Sequence, residues 1–179
     1  MPKGTQIKEE ILIPDNIEVT IEKNMVQVKG EKGALSKMLS NPRILIKKKE
    51  KSIEIICSDS PKRKDRAFIG TYIAHINNMI KGVSEGFTYK MKTVFSHFPI
   101  KTSVEGNDFI IQNFLGERSP RRALILGGVT VEVNGENVTV SGIDREKVGQ
   151  TAANIERATK VKYRDIRVFQ DGVYVVSKR

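Results

Sequence analysis

Val129-Thr130-Val131-Glu132-Val133-Asn134-Gly135-Glu136-Asn137-Val138-Thr139-Val140 is the stretch that decides the fold. Valines alternate with polar residues on both flanks, so each flank presents one apolar face as a strand does. Asn134-Gly135 supplies two residues that accept the positive φ angles of a tight primed turn, and the stretch reads as a β-hairpin. Earlier in the chain, Ile44 and Ile46 stand where Val129 and Val131 stand, and Ile53 and Ile55 where Val138 and Val140 stand. The offset is 85 residues in each case, and the same offset joins Pro14 to Pro99 and Met25-Val26 to Ile110-Ile111. One offset across four separate elements indicates a tandem duplication of about 85 residues per copy, too few copies for a solenoid.

Working outward, Ile17, Val19 and Ile21 alternate into Val26 and Val28 across Lys23-Asn24, a second hairpin signature. The Ile44–Ile55 hairpin closes over the very basic turn Lys47-Lys48-Lys49-Glu50-Lys51. After a loop at Ser58-Asp59-Ser60-Pro61, Ala67, Ile69, Ile73, Ile76 and Ile80 recur at helical spacing over 62–81, with Gly82 as the expected stop. The second copy predicts a helix from Arg145 to Thr159, capped by Asp144, with Val148, Ala152, Ile155 and Thr159 inward and small Gly149 and Ala153 allowing close packing. Ile166-Arg167-Val168-Phe169 and Val173-Tyr174-Val175-Val176 flank Gln170-Asp171-Gly172 as a last hairpin, answered in the first half only by the run from Phe87 to Phe95. The expected class is α+β, a tandem duplication of two small domains, each an antiparallel sheet with one packed helix, over 1–85 and 86–179. The strand Phe87–Lys92 could pack on either half.

Across 179 residues, 31 Lys+Arg face 21 Asp+Glu, a formal charge of +10. Such a surface attracts polyanions, nucleic acid or anionic membrane first. Each half carries +5, but the first holds 13 Lys and 3 Arg and the second 7 Lys and 8 Arg. A guanidinium grips phosphate with two parallel hydrogen bonds where an ammonium offers a point charge, so the second half is the better gripper. No apolar run approaches the roughly 18 residues of a membrane span, and Met1-Pro2-Lys3-Gly4-Thr5 is not a signal peptide, so a soluble protein is expected. The lone Cys57 has no internal disulfide partner, which points to a reducing compartment.

Enzymatic signatures do not emerge. Gly30-Glu31-Lys32-Gly33 and Leu126-Gly127-Gly128 lack the spacing of a phosphate-cradling loop and read as turn or close-packing glycines. His75 and His97 have no spacing that pairs them with Cys57 for metal or nucleophilic chemistry; Cys57 ends an apolar strand as a small hydrophobe, His75 is expected at the helix surface or core edge, and His97 in a structural role, with an RNA or surface contact as the alternative. No enzyme activity, metal or cofactor is expected.

The basic clusters carry more. Lys62-Arg63-Lys64 with Arg66 opens the first helix at its positive end, so Asp59, Asp65 or an external phosphate must compensate. In the second half, Arg118-Ser119-Pro120-Arg121-Arg122 forms a loop with three guanidiniums. Arg157, Lys160, Lys162, Arg164 and Arg167 follow around Tyr163, and the tail adds Lys178 and Arg179. Cations interleaved with an aromatic suit RNA, whose phosphates they neutralise and whose unstacked bases an aromatic can cover.

Several runs also carry a family likeness. They are Val28-Lys29-Gly30-Glu31-Lys32-Gly33-Ala34-Leu35, Asn77-Asn78-Met79-Ile80-Lys81-Gly82-Val83 on to Tyr89-Lys90-Met91-Lys92, His97-Phe98-Pro99-Ile100, Asn113-Phe114-Leu115-Gly116-Glu117-Arg118, and Asp165 through Val175. Over essentially its whole length the chain resembles the family of the sixth large-subunit ribosomal protein, in its archaeal and eukaryotic branch. Bacterial relatives end in a Tyr-Lys-Gly-Lys-Gly type segment, whereas Tyr163-Arg164-Asp165 has no such glycines.

The resemblance implies a structural constituent of the large ribosomal subunit in the cytoplasm. It implies binding to large-subunit ribosomal RNA chiefly through the second domain, near the sarcin-ricin loop and the base of the factor-binding stalk, beside other large-subunit proteins. It also turns the helix around Gln150 and the segment from Lys160 to Arg167 toward RNA. The expected RNA-binding set is therefore Arg118, Arg121, Arg122, Gln150, Arg157, Lys160, Lys162, Tyr163, Arg164, Arg167, Lys178 and Arg179. A free-standing RNA-binding regulator is the alternative that charge alone allows equally.

Overall fold

The computed structural model describes residues 7–57 and 62–178, which form two compact units dividing between Glu85 and Gly86. Each unit is α+β and distributes its antiparallel strands over two small sheets under one helix.

In the first unit β1 (Lys8–Leu12), β5 (Ile44–Lys48) and β6 (Ser52–Cys57) make one sheet in the order β1-β6-β5. The second sheet, β2-β3-β4, comprises β2 (Glu18–Glu22), β3 (Met25–Gly30) and β4 (Gly33–Met38). The alternation sets the register: Val19 pairs with Val28, Ile21 with Val26, and Ile46 with Ile55, which puts one apolar row of each hairpin inward. Val26, Val28, Ile53, Ile55 and Cys57 are fully buried, so the single thiol is core material.

Helix α1 spans Arg63–Ser84. Its basic entry is compensated from inside the described residues: the buried Asp65 carboxylate accepts the Lys62 N–H at 2.9 Å and lies 3.5 Å from the Arg43 guanidinium. Asp59 lies outside the described residues. Gly82 does not stop the helix as expected. Val83 is fully buried, and burying it outweighs the roughly 1 kcal/mol cost of a helical glycine, so the last turn closes only at Glu85 N–H to Lys81 O. Gly30 is a close-packing glycine, since a β-carbon there would sit 2.8 Å from Val83 Cγ2 and 2.9 Å from the Val83 carbonyl.

The second unit contains β7 (Phe87–Val94), β8 (Lys101–Glu105), β9 (Asp108–Gln112), a 3-10 turn (Phe114–Gly116), β10 (Arg121–Leu124), β11 (Val129–Asn134), β12 (Asn137–Gly142), α2 (Arg145–Ala158) and β13 (Gly172–Lys178). Its sheets are β10-β9-β8 and β11-β12-β7-β13. Met25-Val26 and Ile110-Ile111, related by the sequence repeat, both lie on the middle strand of a three-stranded sheet. The repeat slips at its first strand, because Ile11 faces Ile53 and Met91 faces Val138, an offset of 80 where the partners are 85 apart. β7 thus belongs to the second unit and answers β1.

Two local readings need correcting. Asn134 pairs with Asn137, so the hairpin loop is Gly135-Glu136. Only Gly135 takes a positive φ, 61°, which is the pattern of a II′ turn with glycine first. Ile166–Phe169 is not a strand, and β13 pairs instead with β7. Asp165 wins the competition for that backbone: its side chain accepts Arg167 N–H at 2.9 Å, and its carbonyl accepts the N–H groups of Val168 (3.1 Å) and Phe169 (2.9 Å). β13 has no counterpart among the described residues of the first unit.

α2 conforms to expectation. Asp144 accepts Glu146 N–H at 2.9 Å as its cap, and Val148, Ala152, Ile155 and Thr159 are all buried.

Candidate nucleic-acid interface

Five cations of the second unit, Arg157, Lys160, Lys162, Arg164 and Arg167, stand where α2 ends and on the loop after it. Thr159, 3% exposed, turns its hydroxyl oxygen toward the β13 backbone and accepts Val173 N–H at 3.0 Å. That bond ties the two ends of the loop running from Lys160 to Asp171. Between its tied ends the loop is held by the Asp165 turn, by Gln170 Nε2 donating to Arg167 O (3.3 Å), and by Tyr174 OH donating to Gln170 O (3.0 Å). It is a short surface loop packed by its own side chains, the kind that keeps a shape without joining a sheet. Burial, with Asp171 and Glu156 nearby, holds the Tyr174 hydroxyl above its ordinary pKa, so it stays a donor.

Lys160, Lys162, Arg164 and Arg167 are exposed on this loop, and Arg157 is exposed in the last helical turn before it. Tyr163 is completely exposed and sits at φ 60°, in the left-handed region that costs a bulky side chain energy. Arg167 Nε is 3.4 Å from Asp165 Oδ1. Arg164 lies over the Phe169 ring, 4.8 Å from its centroid. His97 stacks on that ring at 4.6 Å, with Nδ1 3.4 Å from the fully buried Asp171, which also accepts Ser96 N–H at 2.9 Å. His97 is thereby a structural support of the loop. In the first unit, His75 Nδ1 lies 3.1 Å from Lys37 Nζ.

The three guanidiniums expected in one loop are separated by geometry. Arg121 and Arg122 open strand β10, so they point to opposite faces. Arg122 is exposed, 3.5 Å from Asp108, and Arg118 is exposed ahead of the strand. Arg121 turns inward. Its Nε and one terminal nitrogen donate to the two Glu117 carboxylate oxygens at 2.8 and 2.6 Å, and its other terminal nitrogen donates to Ala158 O at 2.8 Å and Lys160 O at 3.3 Å. The guanidinium also lies 4.3 Å from the centroid of buried Phe114. Its Nε and both terminal nitrogens are engaged inside the protein, which leaves it less free to meet a phosphate than its neighbour Arg122. The hydrogen bond from Arg121, with the charges of Arg121 and Arg164, holds the Glu117 carboxyl below its ordinary pKa against partial burial.

Gln150 lies earlier on α2, donating to Asn154 Oδ1 at 2.9 Å, and Asn154 in turn donates to Leu124 O at 3.0 Å. Lys178 stands near the far end of β13, with Nζ 5.8 Å from the Tyr89 ring centroid, on the order of 20 Å along the strand from the loop. Arg179 lies outside the described residues. Glu117, Thr159, Asp165 and Asp171 build the loop without having been singled out for it. Only Thr159 had a usable signal, its helical spacing from Ile155.

The family model described as ribosomal protein L6 matches residues 13–86 and again 98–172, two tandem stretches whose starts are 85 residues apart. The chain belongs to the ribosomal protein L6 family. Among its relatives, the large ribosomal subunit protein uL6 of Methanococcus vannielii is 52% identical over 178 residues, covering 99% of this chain and 97% of the relative. The protein of the same name from Methanobrevibacter smithii is 50% identical over 178 residues, covering 99% of each. L6 membership makes the chain a structural ribosomal protein and not an enzyme, and both relatives come from archaea, within the joint archaeal and eukaryotic branch to which the glycine-free Tyr163-Arg164-Asp165 points.

Proposed function

We propose that this L6 protein is a structural constituent of the large ribosomal subunit in the cytoplasm, and that it grips large-subunit ribosomal RNA through its second unit. The observation that carries this reading is the Lys160–Asp171 loop, tied at its base by Thr159 and Val173, which presents Lys160, Lys162, Arg164 and Arg167 around the exposed Tyr163. Cations on a loop already held in shape lose little conformational freedom on binding and recognise folded RNA by the arrangement of its phosphates. Arg118, Arg122 and Arg157 extend the cationic surface. The RNA bound lies near the sarcin-ricin loop and the base of the factor-binding stalk, where neighbouring large-subunit proteins are the other partners. No small-molecule substrate or membrane takes part.

Footprinting of large-subunit ribosomal RNA by the full chain tests the reading. Discrete protected elements, weakened by Lys160→Ala with Lys162→Ala, are expected. Uniform protection without preferred elements would favour a free-standing RNA-binding regulator.

A further inference from the structure

We propose that Glu117, an acid, strengthens RNA binding as a positioning residue: by clamping Arg121 it fixes the two carbonyls from which the cationic loop departs. The inference rests on the RNA-binding role proposed above. Simple charge arithmetic predicts the opposite, since removing a carboxylate beside a polyanion site should tighten binding.

The geometry explains the reversal. Arg121 is forked on Glu117 at 2.8 and 2.6 Å, and this fork orients the remaining terminal nitrogen toward Ala158 O and Lys160 O. The Ala158 carbonyl belongs to the open end of α2, where the last C=O groups have no partner within the helix, and the Lys160 carbonyl to the first residue of the loop. Arg121 supplies the missing donors from a neighbouring strand, so the first residue of the loop is fixed by a side chain 39 positions away in sequence. Without its acid the guanidinium loses the fork that orients it, and the Ala158 and Lys160 carbonyls lose their side-chain donor, so the start of the loop is held by fewer bonds.

Glu117 itself is held with unusual backbone effort. Asn113 (φ 58°), Leu115 (φ 52°) and Gly116 (φ 80°) all take left-handed conformations in the turn before it. Leu115 is a buried branched side chain in a region such residues avoid. Asn113 Nδ2 anchors the turn to Pro99 O at 3.1 Å, a β-carbon on Gly116 would meet the Phe98 ring at 3.3 Å, and Glu117 N–H closes on Phe114 O at 3.0 Å. The turn also sets Phe114 beneath the guanidinium. Strain of this kind persists where the surroundings over-determine it, and here its product is the position of one carboxylate.

The test compares the full-length wild type with Glu117→Gln, Arg121→Lys and the control Glu105→Gln. Glu105 is exposed on β8, so its variant makes the same charge change as Glu117→Gln without the clamp. Affinity for deproteinised archaeal large-subunit ribosomal RNA is measured over a range of salt, beside melting temperature and amide exchange across 160–168. Glu117→Gln is expected to bind at least about fivefold more weakly. Its salt slope should stay that of the wild type, because every phosphate-facing cation remains, and exchange in the loop should rise. Arg121→Lys, which keeps the charge and loses the fork, should behave alike and serves if Glu117→Gln folds poorly. Glu105→Gln should bind as well as wild type or slightly better. Binding by Glu117→Gln that matches or exceeds Glu105→Gln overturns the inference and leaves the RNA-binding role standing. Wild-type protein that protects no discrete RNA element overturns the underlying reading itself.

Discussion

Val173 donates its backbone N–H to the Thr159 hydroxyl oxygen at 3.0 Å, a buried bond joining the end of α2 to the start of β13. The loop between them carries Lys160, Lys162, Arg164 and Arg167, all exposed, so this one bond links the packing of the second unit to the surface proposed to bind RNA. In Thr159→Val the shape survives but a buried donor loses its partner, which costs about 1–3 kcal/mol. Urea unfolding should show that loss, and Thr159→Ser should recover most of it.

Tyr163 should separate stability from binding. Its left-handed backbone costs roughly 1 kcal/mol that glycine would not incur, so Tyr163→Gly should be no less stable than wild type by thermal melting. The same variant should bind large-subunit RNA more weakly, by about 1–3 kcal/mol if the ring covers an unstacked base. Equal affinity would remove Tyr163 from the interface.

Gly30→Ala tests the packing of the first unit. The new methyl meets Val83 at both a side-chain carbon and the backbone carbonyl, and the carbonyl already accepts Lys32 N–H at 3.0 Å. Destabilisation of about 1–3 kcal/mol is expected from equilibrium unfolding, with RNA binding by the folded protein unchanged.

Acid should weaken the Glu117 clamp with a definite sign. The folded carboxyl titrates below its ordinary value because of the Arg121 hydrogen bond first, and the charges of Arg121 and Arg164 as well. Its contribution is therefore fully present above the unfolded carboxylate range and is lost as pH falls through the lowered folded value. The stability gap between wild type and Glu117→Gln should be widest near neutral pH and close as the pH falls below the usual carboxylate range, as followed by urea midpoints.

Strand alternation and a constant offset made the duplicated hairpins legible, because Val19, Val28, Ile46 and Ile55 face the core in the register that their spacing implies. Helix limits were less legible where burial overrode a local signal, as at Gly82. The last hairpin was misread because Ile166 and Val168 look like strand residues, while the side chain and carbonyl of Asp165 capture the backbone that pairing would have used. The cationic surface was visible as composition. Its internal division was not, since Arg121 and Arg122 are chemically identical neighbours that differ only in which face of β10 they occupy. The clamp on Arg121 depends on carbonyls 37 and 39 residues away, which no local pattern announces.

The central claim is that the second unit grips ribosomal RNA through the loop after α2, and the salt dependence of binding tests it most directly. The full chain, Lys160→Ala with Lys162→Ala, and the first-unit control Lys48→Ala with Lys49→Ala should be titrated against large-subunit ribosomal RNA from low to moderate salt. A log–log slope flattened by about one unit per lost phosphate contact in the loop pair, with the control pair unchanged, is the predicted result. Equal flattening by the control pair, or none by the loop pair, would contradict it.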